Sequence, residues 1–340
     1  MSATRNGQRS PRLLSTLPTE IILEINDQIT SAADAVSLAL TCRRLFSVLS
    51  EPSIKALNAQ SKEMLLMNLE RDISWVVYCP RARRLLNFNS WGKGHDPSAP
   101  WAYQRFHIAE PLFFRSMCKD IKPHISFLQT RLVRNRHLFG ATHGIPLSEL
   151  ELEGSHDPRS LRTFMRMPCN ISFEFSRKAG WRGEDLFLSS TWIIRIMSME
   201  VVGQAVSTTE LRKFLADESL DSTCNHCTFD GIQNDRLGYF QPKFDEVGAR
   251  LSNNLPYEGV GSCFICETDW DMLISWYEEG LELKLTRYHD LGCCSIPPDP
   301  KWLRIKYEKN RILRILPRET TQGSVRRRWV STIPSRGGSL

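Results

Sequence analysis

The residues with the clearest chemical potential are two Cys-x-x-Cys pairs, Cys224-Asn225-His226-Cys227 and Cys263-Phe264-Ile265-Cys266. A two-residue gap lets two thiolates grip one tetrahedral zinc, and two such knuckles complete a four-cysteine site. One reading is therefore a structural zinc held by Cys224, Cys227, Cys263 and Cys266, with His226 as an alternative ligand. The 35 residues between the pairs exceed the usual intervening length. A second reading is four half-buried thiols that never meet. A third is a redox pair, although neither pair opens a strand–helix unit of the thioredoxin kind. Cys293 and Cys294 are adjacent, a poor geometry for a disulfide or a shared metal, and read as packing residues. His137 and His143 flank Gly140 and Gly144 with no acid at ligand spacing, so they read as shaping a tight loop rather than as acid–base groups. No glycine-rich phosphate loop, Gly-x-Ser-x-Gly or His-Glu-x-x-His occurs, and Glu278-Glu279 reads as a charged turn. The chain is expected to perform no covalent chemistry.

The elements around these residues follow from periodicity. Trp270, Met272, Ile274 and Trp276 share one face, and Leu281, Leu283 and Leu285 return on it after Gly280. That is a β-hairpin, and it follows directly on Cys266. Ile171, Phe173 and Phe175 alternate with polar residues, then Leu188, Trp192, Ile194 and Ile196 return, which predicts a second antiparallel pair around a turn over 178–185. Trp75 to Tyr78 is a short strand candidate, and Ile125 to Val133 alternates apolar with polar residues. Residues 61–72 read as a helix, as do 208–217 behind the capping box Ser207-Thr208-Thr209-Glu210. The glycine- and proline-bearing stretch 89–103 reads as a loop. It places Trp91 and Trp101 near His137 and His143 as a candidate target surface. Trp181, Trp192, Trp270, Trp276 and Trp302 read as core.

Charge narrows the function further. The net charge of +6 sits at the ends: residues 1–12 carry +3 and residues 317–340 carry +4, so residues 13–316 carry −1. A nucleic-acid-binding domain carries its excess on folded surface. A zinc-ribbon nucleic-acid binder is the first alternative function, and residues 263–282 oppose it with six acids and no Lys or Arg. A Cys-x-x-Cys oxidoreductase is the second. The run Arg326-Arg327-Arg328 could serve as a nuclear import signal, but a solvated tail is the simpler reading. No apolar run could span a bilayer or act as a signal peptide, which predicts no membrane partner and an intracellular protein, cytoplasmic or nuclear, with reduced cysteines.

The N-terminal region supplies the strongest pattern. Leu17-Pro18-x-Glu20-Ile21 opens a helix with Ile21, Ile22, Ile25 and Ile29 at helical spacing. Asp34 lies ahead of a second helix carrying Val36 and Leu40, and Thr41-Cys42-Arg43-Arg44-Leu45 closes it. This string resembles an F-box. In F-box proteins the unit docks on a small Skp-type adaptor, which joins it to a cullin–RING ubiquitin ligase. Four further segments resemble a large group of fungal F-box proteins: Leu69 to Asp72 with Tyr78-Cys79-Pro80; Leu132 to Gly140 with His143 to Leu147; Ser262 to Trp270; and His289 to Gly292 with Asp299 to Trp302. Members of that group often carry a second cysteine three residues after the position of Cys79; here it is Ala82.

The resemblance implies an α+β chain with a helical F-box at its N-terminus, followed by a mixed, mostly antiparallel β domain with a few helices. The expected boundaries are a disordered tail over 1–12, an F-box over 13–58, the α+β domain over 59–316 and a disordered basic tail over 317–340. The implied function is substrate recruitment to an SCF-type ubiquitin ligase. Leu17, Pro18, Ile21, Ile25, Val36 and Leu40 are the expected adaptor-docking residues, since apolar anchors dominate helix-in-groove contacts.

Overall fold

The computed structural model describes residues 17–55, 57–80, 82–88, 125–156, 170–197, 244–263, 265–277, 280–296, 299–306 and 321–331. The loop 89–103, the helix expected at 208–217, and Cys224 and Cys227 lie outside these residues, as do Trp91 and Trp101. The chain divides into two compact units, Met1–His95 and Asp96–Leu340. The first unit therefore extends beyond the boundary expected at residue 58.

In the first unit, α1 (Thr19–Gln28), α2 (Ala32–Leu40), α3 (Arg43–Lys55) and α4 (Ala59–Asp72) precede a hairpin of β1 (Val76–Cys79) and β2 (Arg84–Asn87). Pro18 caps α1 from outside rather than occupying its first turn, and its carbonyl accepts from the Ile22 N–H. Ser31, not Asp34, caps α2: its hydroxyl accepts the Asp34 N–H at 3.3 Å. Asp34 sits inside the first turn, where its carboxylate accepts from the Asn68 side chain of α4. Asn58 caps α4 through the Ser61 N–H at 2.7 Å. The interior consists of Ile22, Ala39, Leu45 and Leu49 on one side, and Ala33, Val36 and Leu65 on the other.

Among the described residues, the first helix of the second unit is α5 (Phe127–Phe139). The alternation noted at 125–133 belongs to this helix, not to a strand. Ser126 and Gln129 form a reciprocal capping box that starts it. Phe127, Leu128, Thr130, Arg131, Leu132, Val133 and Asn135 are all buried, so α5 shows no single apolar stripe. It ends at Gly140 with φ 98°, a conformation that suits glycine.

The sheet is antiparallel throughout, with β3 (Leu152–His156), β4 (Asn170–Arg182), β5 (Asp185–Met197), β6 (Tyr257–Ser262), β7 (Thr268–Tyr277) and β8 (Gly280–Asp290) in the order β3-β4-β5-β8-β7-β6. The expected pairing of 171–175 with 192–196 is present, with Phe173 opposite Ile194 and Phe175 opposite Trp192. The turn is tighter than the expected 178–185, since the strands run on to Arg182 and Asp185. Ala179 and Trp181 continue the inward alternation and pack on the core, which keeps the chain extended.

Among the described residues, three further helices flank the sheet. α6 (Phe244–Ser252) packs on β6 and β7 through Val247 and Leu251. α7 (Pro300–Lys306) brings Trp302 and Ile305 into the cluster with Phe127, Leu186, Leu188 and Leu291. α8 (Ser324–Val330) corrects the expectation of a disordered tail from 317. Its Val325 and Trp329, one helical turn apart, bury against Phe187 and Tyr288. The described architecture is α+β.

Candidate functional site

The first unit leaves apolar side chains outside a complete interior. Ile21, Leu23, Leu40 and Phe46 are 41–44% exposed, while Ile22, Ala39, Leu45 and Leu49 beneath them are buried. The helix pattern explains the split. Ile22 faces α3 and closes the core, so Ile21 and Leu23 on either side of it must point away. Leu40 ends α2, and Phe46 follows the buried Leu45. Of the residues expected to dock an adaptor, Pro18, Ile21 and Leu40 are exposed, Ile25 is half-buried, and Leu17 is half-buried against the Ile22 cluster. Val36 is fully enclosed between Ala33 and Leu65, so it supports the unit from within rather than offering a surface. Leu23 and Phe46 were missed; their positions beside buried neighbours were the available signal.

The post-helix hairpin holds a cysteine turn. The Cys79 sulfur accepts the Ala82 N–H at 3.2 Å. Tyr78 donates to Glu63 of α4, and burial with that carboxylate pushes its phenol up to about 12.

The second unit holds a closely related turn. The Cys263 sulfur accepts the N–H groups of Ile265 and Cys266 at 3.3 and 3.4 Å. Backbone N–H groups aimed at a sulfur hold the turn closed around the Cys263 side chain. Both thiols are buried. The Cys266 sulfur and the Thr268 hydroxyl are 3.1 Å apart, and that hydroxyl meets His289 Nδ1 at 3.0 Å. Burial and the nearby Arg287 hold the His289 imidazole neutral, with its pKa lowered to about 3. Among the described residues no three Cys, His, Asp or Glu side chains are arranged to hold a metal ion. Of the four candidate zinc ligands, Cys263 and Cys266 lie together in this turn, and Cys224 and Cys227 lie outside the described residues.

The neighbouring segments are structural. Cys294 is buried in the core, and Cys293 hydrogen-bonds Asp299 and Ser295. Asp299 accepts the N–H groups of Cys293 and Lys301, tying the loop after β8 to the start of α7. His137 stacks on Trp181 with ring centroids 4.6 Å apart, and His143 meets Thr142. Gly144 is required by contact: a Cβ there would lie 1.7 Å from the Leu132 carbonyl oxygen. His137 thus lies within α5 and stacks on β4 rather than shaping the loop, while His143 sits in the loop that Gly144 holds close against α5.

The basic run at the C-terminus is largely committed to ion pairs within the unit. Arg328 bridges Asp185 and Asp290 at 2.7 Å each, and Lys301 bridges the same two acids at 2.7 and 2.9 Å. These cations hold the Asp185 carboxyl below its usual range, while burial raises that of Asp290. Arg326 pairs with Asp271 at 2.8 Å. Deeper still, Arg304 of α7 meets Glu267 with both side chains enclosed. No helix among the described residues is long and apolar enough to cross a membrane. Comparison with family models, curated proteins and solved structures gave no match.

Proposed function

We propose that this chain is a non-catalytic, substrate-recruiting F-box protein of an SCF-type cullin–RING ubiquitin ligase. The first unit docks a Skp-type adaptor, and the second holds a target protein near the ligase, lowering the entropic cost of ubiquitin transfer. One observation carries the reading. A small helical unit with a closed interior still presents Ile21, Leu23, Leu40 and Phe46 to solvent. Exposed apolar side chains beside a complete core suit a partner's groove. Pro18 and Ile25 extend that set, while Leu17 and Val36 brace it from inside.

The other two readings draw less support. Cys263 and Cys266 are enclosed, whereas a redox pair needs one exposed thiol of lowered pKa. Arg326 and Arg328, which a nucleic-acid binder would offer to phosphates, are paired with Asp271, Asp185 and Asp290. The test is capture of a purified Skp-type adaptor by the full chain. Ile21→Asp combined with Leu40→Asp should abolish capture while circular dichroism and the melting temperature stay unchanged. Capture at the wild-type level would overturn the reading.

A further inference from the structure

Among the described residues β6 is an edge strand of the sheet, and it borders a cleft of about 510 Å³ whose far wall is α8. Val260 and Val330 stand on its two sides at 65% and 61% exposure, the highest values of any described large apolar side chain. Trp270 and Gly261 also line it, and a Cβ at Gly261 would lie 1.9 Å from the Trp270 ring. Glycine there lets the strand lie directly against the indole.

Among the described residues, no backbone group pairs with the outer side of β6. The Cys263 N–H donates to the Thr268 carbonyl, which makes that pair a hydrogen-bonded one. Antiparallel pairing alternates. Gly261 and Gly259 therefore bond to β7, and Ser262, Val260 and Glu258 direct their N–H and C=O groups outward. No strand among the described residues pairs with that edge. An open edge of this kind is a template for another strand.

Charge says which strand fits. Asp269 beneath the cleft is enclosed and accepts from the Ser262 hydroxyl and the Arg326 N–H. The Arg326 side chain goes to Asp271. Arg327 is exposed at the mouth and makes no ion pair with a described residue. Glu258 is exposed two residues back along β6 and disfavours a second acid at that end.

We infer that the β6 edge and the β6–α8 cleft bind an extended peptide of the target protein, which adds as a strand on Val260, seats an apolar side chain between Val260 and Val330, and offers an acidic side chain to Arg327. That the peptide belongs to a ligase target rests on the function proposed above; the peptide binding itself does not.

The probe is a blocked heptapeptide alternating threonine and valine around a central aspartate, paired with the same peptide carrying lysine. Fluorescence anisotropy with the full chain should show the aspartate peptide binding at least tenfold more tightly. Arg327→Glu should reverse that order. Val260→Pro, which removes an outward N–H at an edge position that tolerates proline, should abolish binding of the aspartate peptide and leave adaptor capture intact. Equal affinity for both peptides, no binding of either up to about 1 mM, or binding indifferent to Arg327→Glu would overturn the inference. So would sedimentation showing self-association that Val260→Pro dissolves, since the occupant would then be a second copy. Peptide binding without adaptor capture would overturn the ligase reading alone, and adaptor capture without peptide binding would overturn this inference alone.

Discussion

The two units of this chain treat their side chains in opposite ways. The helical unit leaves Ile21, Leu23, Leu40 and Phe46 in solvent, where apolar groups bring no stability. The sheet unit encloses Arg304 with Glu267, and encloses Asp290 beneath the partly exposed Lys301 and Arg328, so that buried charges lose their hydration. Each departs from the ordinary partition of apolar inside and charged outside. An exposed apolar set gains its value only when a partner covers it, so it speaks of binding. An enclosed ion pair is satisfied inside the fold and breaks badly, so it speaks of a fixed arrangement. On this view the helical unit is the attachment and the sheet unit is the rigid platform behind a recognition edge.

The largest expected effect comes from opening the enclosed pair. Arg304→Met keeps the side-chain volume but leaves Glu267 charged without its guanidinium. The sheet unit should lose about 3–5 kcal/mol, the usual cost of removing one partner of a buried pair, read as a shift in its denaturant midpoint. The double variant with Glu267→Leu should recover much of that loss. A loss under about 1 kcal/mol for the single variant would show that the pair is not enclosed in solution.

Next comes the network that seats α8. Arg328→Ala removes two charge-assisted hydrogen bonds and the guanidinium 4.8 Å above the Phe187 ring. Asp185 and Asp290 keep Lys301, so the loss should be smaller, about 1.5–3 kcal/mol. Amide exchange should report it first at Val325 and Trp329. Exchange unchanged across α8 would mean that the apolar anchors and the Arg326 contacts hold the helix without Arg328.

That network also marks what sequence could and could not reveal. The hairpin of β7 and β8 and the pairing of β4 with β5 were legible, because apolar and polar residues alternate over 171–175 and 281–285, and Trp192, Ile194, Ile196, Met272, Ile274 and Trp276 keep the same spacing in the partner strands. α5 was not, because it is buried nearly all round and buries Thr130, Arg131 and Asn135 among its apolar residues. Only its capping box, Ser126 with Gln129, betrayed it. α8 carries two apolar anchors, Val325 and Trp329, and three consecutive arginines hid them. Arg326 and Arg328 are partnered by Asp271, Asp185 and Asp290, acids 38 or more positions away in the chain. No local pattern reports such a pairing. In the candidate site, Ile21 and Leu40 were legible as apolar helix positions, but the inward and outward members of the set differ by a single residue. Val36 was consequently placed outside and Leu23 overlooked.

The pH response of the platform follows from His289. Its folded pKa lies near 3 against 6.5 for the free side chain. Between those values the unfolded chain binds a proton that the folded one refuses. The group therefore costs the fold nothing above pH 6.5, and stability falls as pH drops below it, by about 1.4 kcal/mol per pH unit. Urea titrations at pH 7 and 5 should show this, and His289→Gln should flatten the slope. An unchanged slope in that variant would place the loss on other groups.

The smallest effect on stability should carry the largest effect on binding. Phe46→Asp in the helical unit replaces a half-exposed ring outside the closed core, so the melting behaviour should stay within about 0.5 kcal/mol of the wild type. If the face seats in an adaptor's groove, the same change buries an unpartnered carboxylate there, and affinity should fall by a factor of 100 or more, about 3 kcal/mol. Titration calorimetry against a purified Skp-type adaptor measures the second quantity, and thermal unfolding the first. A large stability loss would mean that Phe46 belongs to the core of the unit. Unchanged affinity would mean that the exposed apolar set serves some surface other than the adaptor's, and the contrast between attachment and platform would lose its first half.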